Sequence, residues 1–77
     1  MADPLVAVLD IFADVMGERA PRGADTVPDD LDIWTSLTHV QLIYEVESRF
    51  GIVLPERYLL QHGSLGDLAA AVRSLGA

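Results

Sequence analysis

Ser36, within Trp34-Thr35-Ser36-Leu37-Thr38-His39-Val40-Gln41-Leu42, is the residue on which chemistry is most readily built. It stands where an irregular segment rich in proline and aspartate gives way to a long helical pattern. A serine at that junction is expected to cap the helix. Its hydroxyl then lies beside backbone N–H groups without intrahelical acceptors, at the positive end of the helix dipole. Such surroundings suit a phosphate ester. His39, three residues on, would complete a nucleophile–base pair in an enzyme. It falls on the apolar arc of the helix, however, with no carboxylate placed to orient it and no oxyanion site, so no catalytic residue is expected. Asp29, Asp30 and Asp32 lack the glycine and final glutamate of a calcium loop, and no metal site is expected either.

The elements that position Ser36 must be packed from aliphatic side chains alone. The 77-residue chain has no cysteine and two isolated histidines, and hydrophobic residues make up 51% of it. That supports one domain, residues 1–77, with a single small core. The net charge is −7, from twelve acidic residues against five arginines. A chain of that sign repels phosphate backbones and anionic lipid, so nucleic acid and membranes are excluded as partners in favour of basic patches on other proteins. Met1-Ala2-Asp3-Pro4 offers no basic leader, and Asp10 and Asp14 interrupt the apolar run that follows. The expectation is a soluble, cytoplasmic monomer.

The spacing predicts a first helix capped by Asp3, with Pro4 at its first position and Gly17 at its end. Leu5, Val8, Leu9, Phe12, Val15 and Met16 share one face, with Asp10 and Asp14 opposite. Residues 18–33 keep no helical period and read as a long loop, pinned by Val27, Leu31 and Ile33. A second helix is expected from Ser36 to Phe50, stopping at Gly51, with a length of roughly 22 Å. Ile52-Val53-Leu54-Pro55 is an extended connector that plugs the core, Glu56 to Gln61 a short helix, and His62 a solvated loop residue. The last helix starts at Ser64, with Asp67 completing a capping box and Leu65, Leu68, Val72 and Leu75 facing inward. The fold class is all-α: a small bundle of three main helices plus one short helix.

The second helix carries two apolar stripes where a surface helix ordinarily has one. At about 100° per residue, Leu42, Ile43, Val46 and Phe50 fall on one arc, together with His39. Leu37, Val40 and Tyr44 form a second cluster on another side, flanked by Gln41, Glu47 and Ser48. Either the long loop folds over this second stripe, or the stripe stays open as a docking surface for other proteins.

These residues resemble the acyl carrier protein family, which includes peptidyl and D-alanyl carriers. The similarity runs from Thr35-Ser36-Leu37 through Val40-Gln41-Leu42-Ile43, Glu45-Val46-Glu47 and Arg49-Phe50-Gly51 to Ile52, Leu54 and Pro55. It resumes at Ser64-Leu65-Gly66-Asp67-Leu68. The resemblance implies a stand-alone, non-catalytic carrier whose Ser36 bears a 4′-phosphopantetheine arm, transferred from coenzyme A by a magnesium-dependent phosphopantetheinyl transferase. The arm's thiol would hold an acyl or aminoacyl group as a thioester, which accounts for thiol chemistry in a chain without cysteine. Acyl- or aminoacyl-loading and processing enzymes are the implied partners, docking on Leu37, Val40, Gln41, Tyr44 and Glu47. The family usually has aspartate directly before the serine. Thr35 stands there instead, which points to a dedicated transferase or, alternatively, to an unmodified adaptor that binds partners through the same face. Trp34 would serve as a loop anchor or line the arm's exit. Asp32-Ile33-Trp34-Thr35 lacks the glycine-rich approach of peptidyl carriers, which favours an acyl or polyketide-type carrier, and a free-standing chain with Trp34 near the site looks more like one of specialised biosynthesis.

Overall fold

The computed structural model describes residues 4–60 and 63–76. Three expectations lie outside the described residues: Asp3 as the first cap, Gln61 as the end of the short helix, and His62 as a loop residue. The elements run α1 (Pro4–Met16), two single 3-10 turns (Gly23–Asp25 and Pro28–Asp30), α2 (Ser36–Phe50), α3 (Arg57–Leu60) and α4 (Leu65–Ser74). No strand occurs among the described residues. The all-α expectation, three main helices and one short one, is what the chain forms.

Helix α1 begins at Pro4, whose missing N–H costs nothing in a first turn. It packs against both α2 and α4, so it buries a broader arc than the sequence stripe. Ile11, absent from the predicted face, is buried beside Val8, Phe12 and Met16, while Leu5, Leu9 and Val15 are only partly covered. Leu42, Ile43 and Val46 of α2 and Leu65, Leu68 and Val72 of α4 complete the core. Each such side chain contributes about 1.5–3 kcal/mol when fully removed from water. Helix α2 spans 15 residues and ends where Gly51 takes the left-handed conformation, φ 66°, which glycine adopts without the steric penalty of a Cβ.

Three details of packing differ from expectation. The segment 18–33 is not a featureless loop, since two 3-10 turns give it local hydrogen bonds. Its deepest anchor is Thr26, fully buried, whereas of the three expected pins Val27 and Leu31 are partly covered and Ile33 is exposed. Thr26 Oγ1 accepts from the Arg22 N–H at 2.9 Å, and its carbonyl accepts from the Leu65 N–H at 3.1 Å, fastening the segment to the start of α4. At the other end, Leu75 is exposed rather than inward-facing because α4 stops at Ser74 and the helical phase stops with it. Ser64 and Asp67 do form the reciprocal cap of α4, Asp67 Oδ2 accepting from the Ser64 N–H at 3.1 Å and Ser64 Oγ from the Asp67 N–H at 3.2 Å. Gly66 passes so close to the loop that an added Cβ would sit 3.2 Å from the Ala24 carbonyl oxygen.

Candidate functional site at the start of α2

Thr35, not Ser36, is the N-cap of α2. Its backbone is extended (φ −96°, ψ 179°) and its side chain accepts from the Thr38 N–H, as the half-in residue of a helix start must do to meet an orphan donor. Ser36 is the first helical residue. This corrects the one-residue offset in the sequence reading, which three neighbouring hydroxyl residues make ambiguous. Ser36 is exposed, and its side chain enters none of the hydrogen bonds found among the described residues. The hydroxyl is therefore open to solvent at a terminus whose first N–H groups have no intrahelical acceptor.

Two sets of contacts hold this turn. On the outside, Thr38 Oγ1 accepts from the Thr35 N–H at 2.8 Å and donates to the Ile33 carbonyl at 2.7 Å. On the inside, Trp34 is buried and lies edge-on to Phe12, ring centroids 5.1 Å apart. Its indole N–H donates to His39 Nδ1 at 3.1 Å. Indole nitrogen is only a donor, so Nδ1 is the acceptor and the imidazole proton sits on Nε2, which donates to the Tyr58 carbonyl at 2.6 Å. Trp34 is thus a buried anchor. His39 is a buried structural bridge from the residues before α2 to α3, with both ring nitrogens engaged, and it does not serve Ser36 as a base. A cleft of about 380 Å³ opens beside this bridge, between α2, α3 and α4, with Trp34, His39, Ile43, Tyr58 and Leu68 in its wall.

The two stripes of α2 separate as the pattern implies. The first is core. The second stays open: Leu37 is 69% exposed, Val40 47% and Tyr44 69%, and the long loop does not cover them. Gln41 is exposed beside them. Glu47 has a different setting: it is half-buried, and its Oε2 accepts from the Leu54 N–H at 2.7 Å, holding the connector so that Leu54 is buried while Val53 points out. Sequence reasoning missed this bond, the Trp34–His39–Tyr58 bridge and the part played by Thr38. Only the last had a visible signal, the hydroxyl residues three apart at a helix start, which is the capping-box spacing.

The helical bundle thus presents an exposed serine at the first position of its second helix. The phosphopantetheine attachment site family model matches residues 6–72, and the chain belongs to that family. No curated protein and no solved structure matched it. Among the described residues no helix is long and apolar enough to cross a membrane.

Proposed function

We propose that Ser36 is the attachment point of a 4′-phosphopantetheine arm and that the protein carries acyl or aminoacyl intermediates in a specialised, polyketide-type biosynthesis in the cytoplasm. The observation that carries this reading is the Ser36 hydroxyl, exposed at the first position of α2 inside the stretch matched by the family model. The residues fit the group. Among the described residues the hydroxyl makes no hydrogen bond that attachment would have to break, and a phosphodiester formed on it would lie near N–H groups that lack intrahelical acceptors. In the attachment step Ser36 Oγ bonds to the β-phosphorus of coenzyme A and adenosine 3′,5′-bisphosphate leaves. The transferase accepts the serine proton. Once attached, the arm supplies the thiol that holds the cargo as a thioester.

Everything else is presentation. Leu37, Val40, Gln41 and Tyr44 form the docking face for the transferase and for loading and processing enzymes, with Glu47 shaping its far edge through the connector. Thr35 stands where the family usually has an aspartate that assists the transferase complex, which favours a dedicated enzyme. Apo protein incubated with coenzyme A and a panel of transferases should gain one phosphopantetheinyl group in intact mass, and Ser36→Ala should gain none. No gain with any transferase would favour an unmodified adaptor using the same face.

A further inference from the structure

The reciprocal cap at the start of α2 is lopsided, and the lopsidedness assigns a role. Thr35 Oγ1 lies 3.4 Å from the Thr38 N–H, at the weak end of hydrogen-bonding distance. Thr38 Oγ1 makes two short contacts, accepting from the Thr35 N–H at 2.8 Å and donating to the Ile33 carbonyl at 2.7 Å. The Thr35 N–H also approaches that same carbonyl at 3.0 Å. Ile33 O, Thr35 N and Thr38 Oγ1 therefore close a triangle that fixes the residues immediately before Ser36. The residue at the helix boundary is Thr35, but the hydroxyl that holds the turn belongs to Thr38.

We infer that Thr38 is a positioning residue for the chemistry at Ser36, setting the direction in which the serine hydroxyl leaves the helix. The inference rests on the reading of Ser36 as the attachment point. Its physical basis is orientation: a transferase must bring the hydroxyl in line with a phosphorus atom, and a turn free to rotate presents it correctly only part of the time. The triangle is solvent-exposed, so water can replace its hydrogen bonds when the Thr38 hydroxyl is removed. Loss of that hydroxyl should leave the bundle folded while loosening the turn.

The test compares Thr38→Val, Thr38→Ser and Thr35→Ala with the unaltered protein as substrates for a transferase that modifies it. Thr38→Val should lower the kcat of transfer about tenfold, the equivalent of one hydrogen bond of about 1.4 kcal/mol, with little change in KM. Thr38→Ser should restore the rate, and Thr35→Ala should cost less than Thr38→Val. Amide hydrogen exchange provides a readout independent of transfer: the Thr35 N–H of apo protein should exchange faster in Thr38→Val and normally in Thr38→Ser. Thr38→Ala serves as the second variant should valine disturb the helix. A wild-type rate in Thr38→Val, unchanged Thr35 exchange, or a larger loss in Thr35→Ala overturns the inference and leaves the attachment reading standing. An unaltered protein that no transferase modifies overturns both.

Discussion

Trp34→Phe tests whether the indole–imidazole bridge, rather than apolar packing alone, holds the approach to α2. The substitution removes the N–H that reaches His39 Nδ1 at 3.1 Å inside a pair that is only 5% and 4% exposed. A buried acceptor deprived of a donor costs about 1–3 kcal/mol, and the smaller ring leaves space against Phe12, for a combined loss of about 2–4 kcal/mol. For a domain of this length each kcal/mol moves the unfolding midpoint by about 4–8 °C, so a drop of roughly 10–25 °C is expected. His39→Leu should be costly for the reciprocal reason, since it strips partners from the Trp34 N–H and the Tyr58 carbonyl together. The decisive measurement is the double variant, followed by far-UV circular dichroism because the only tryptophan is lost. The double variant no longer contains the Trp34–His39 polar pair, so its loss should fall short of the sum of the two single losses by about 1–2 kcal/mol. Losses that add to within about 0.5 kcal/mol would mean that the two side chains are merely packed, and the bridge argument would be wrong.

Tyr44→Ala should weaken binding to a transferase or loading enzyme by about 1–2 kcal/mol, as exposed aromatic anchors do when a partner buries them. Glu45→Gln should cost under about 0.5 kcal/mol, because that carboxylate is a half-exposed surface charge already 3.7 Å from Arg49; equal or reversed losses in a binding titration would refute the ordering. Glu47→Ala is expected to destabilise the fold by about 1.5–3 kcal/mol through loss of the charged acceptor for the Leu54 N–H, while Glu47→Gln, which keeps an acceptor oxygen, loses less; urea unfolding of both variants checks it. Thr26→Val keeps the shape but removes the acceptor for the Arg22 N–H, and a stability loss of about 1–2 kcal/mol should appear in the same assay.

The helices were legible because their signals are local. Pro4, Gly17, Gly51 and the Ser64–Asp67 box punctuate the chain where helices begin and end, and the double stripe of α2 marked two apolar faces without telling whether the loop covers the second. What escaped reading depends on partners distant in sequence or on position at a boundary. Thr26 gives no periodic signal, since its burial comes from hydrogen bonds to Arg22 and Leu65. Glu47 read as a residue of the docking face, and nothing in the sequence showed the connector folding back onto it. Ile11 sits outside the apolar stripe of α1 and is buried only because a second helix packs on that side. The offset at Thr35 and Ser36 arose because adjacent hydroxyl residues are equivalent to a pattern, and only the backbone angles at Thr35 tell them apart. The mouth of α2 was thus located from sequence to within one residue, while the side chains that stiffen it were not.

Thr26 has a mechanical consequence for the whole connection between α1 and α2. With its hydroxyl and carbonyl both bound, one to its own turn and the other to the first residue of α4, it divides a long span into two short ones moored at their junction. Insertions or substitutions around Glu18 to Ala20 should therefore be felt less at Ser36 than changes at Arg22, whose guanidinium reaches Asp30 across the mooring at 3.6 Å. Changes behind it, from Val27 to Ile33, bear directly on the serine. The upstream half is therefore where the chain can tolerate variation, and the downstream half is where altered length or charge would retune what the carrier presents.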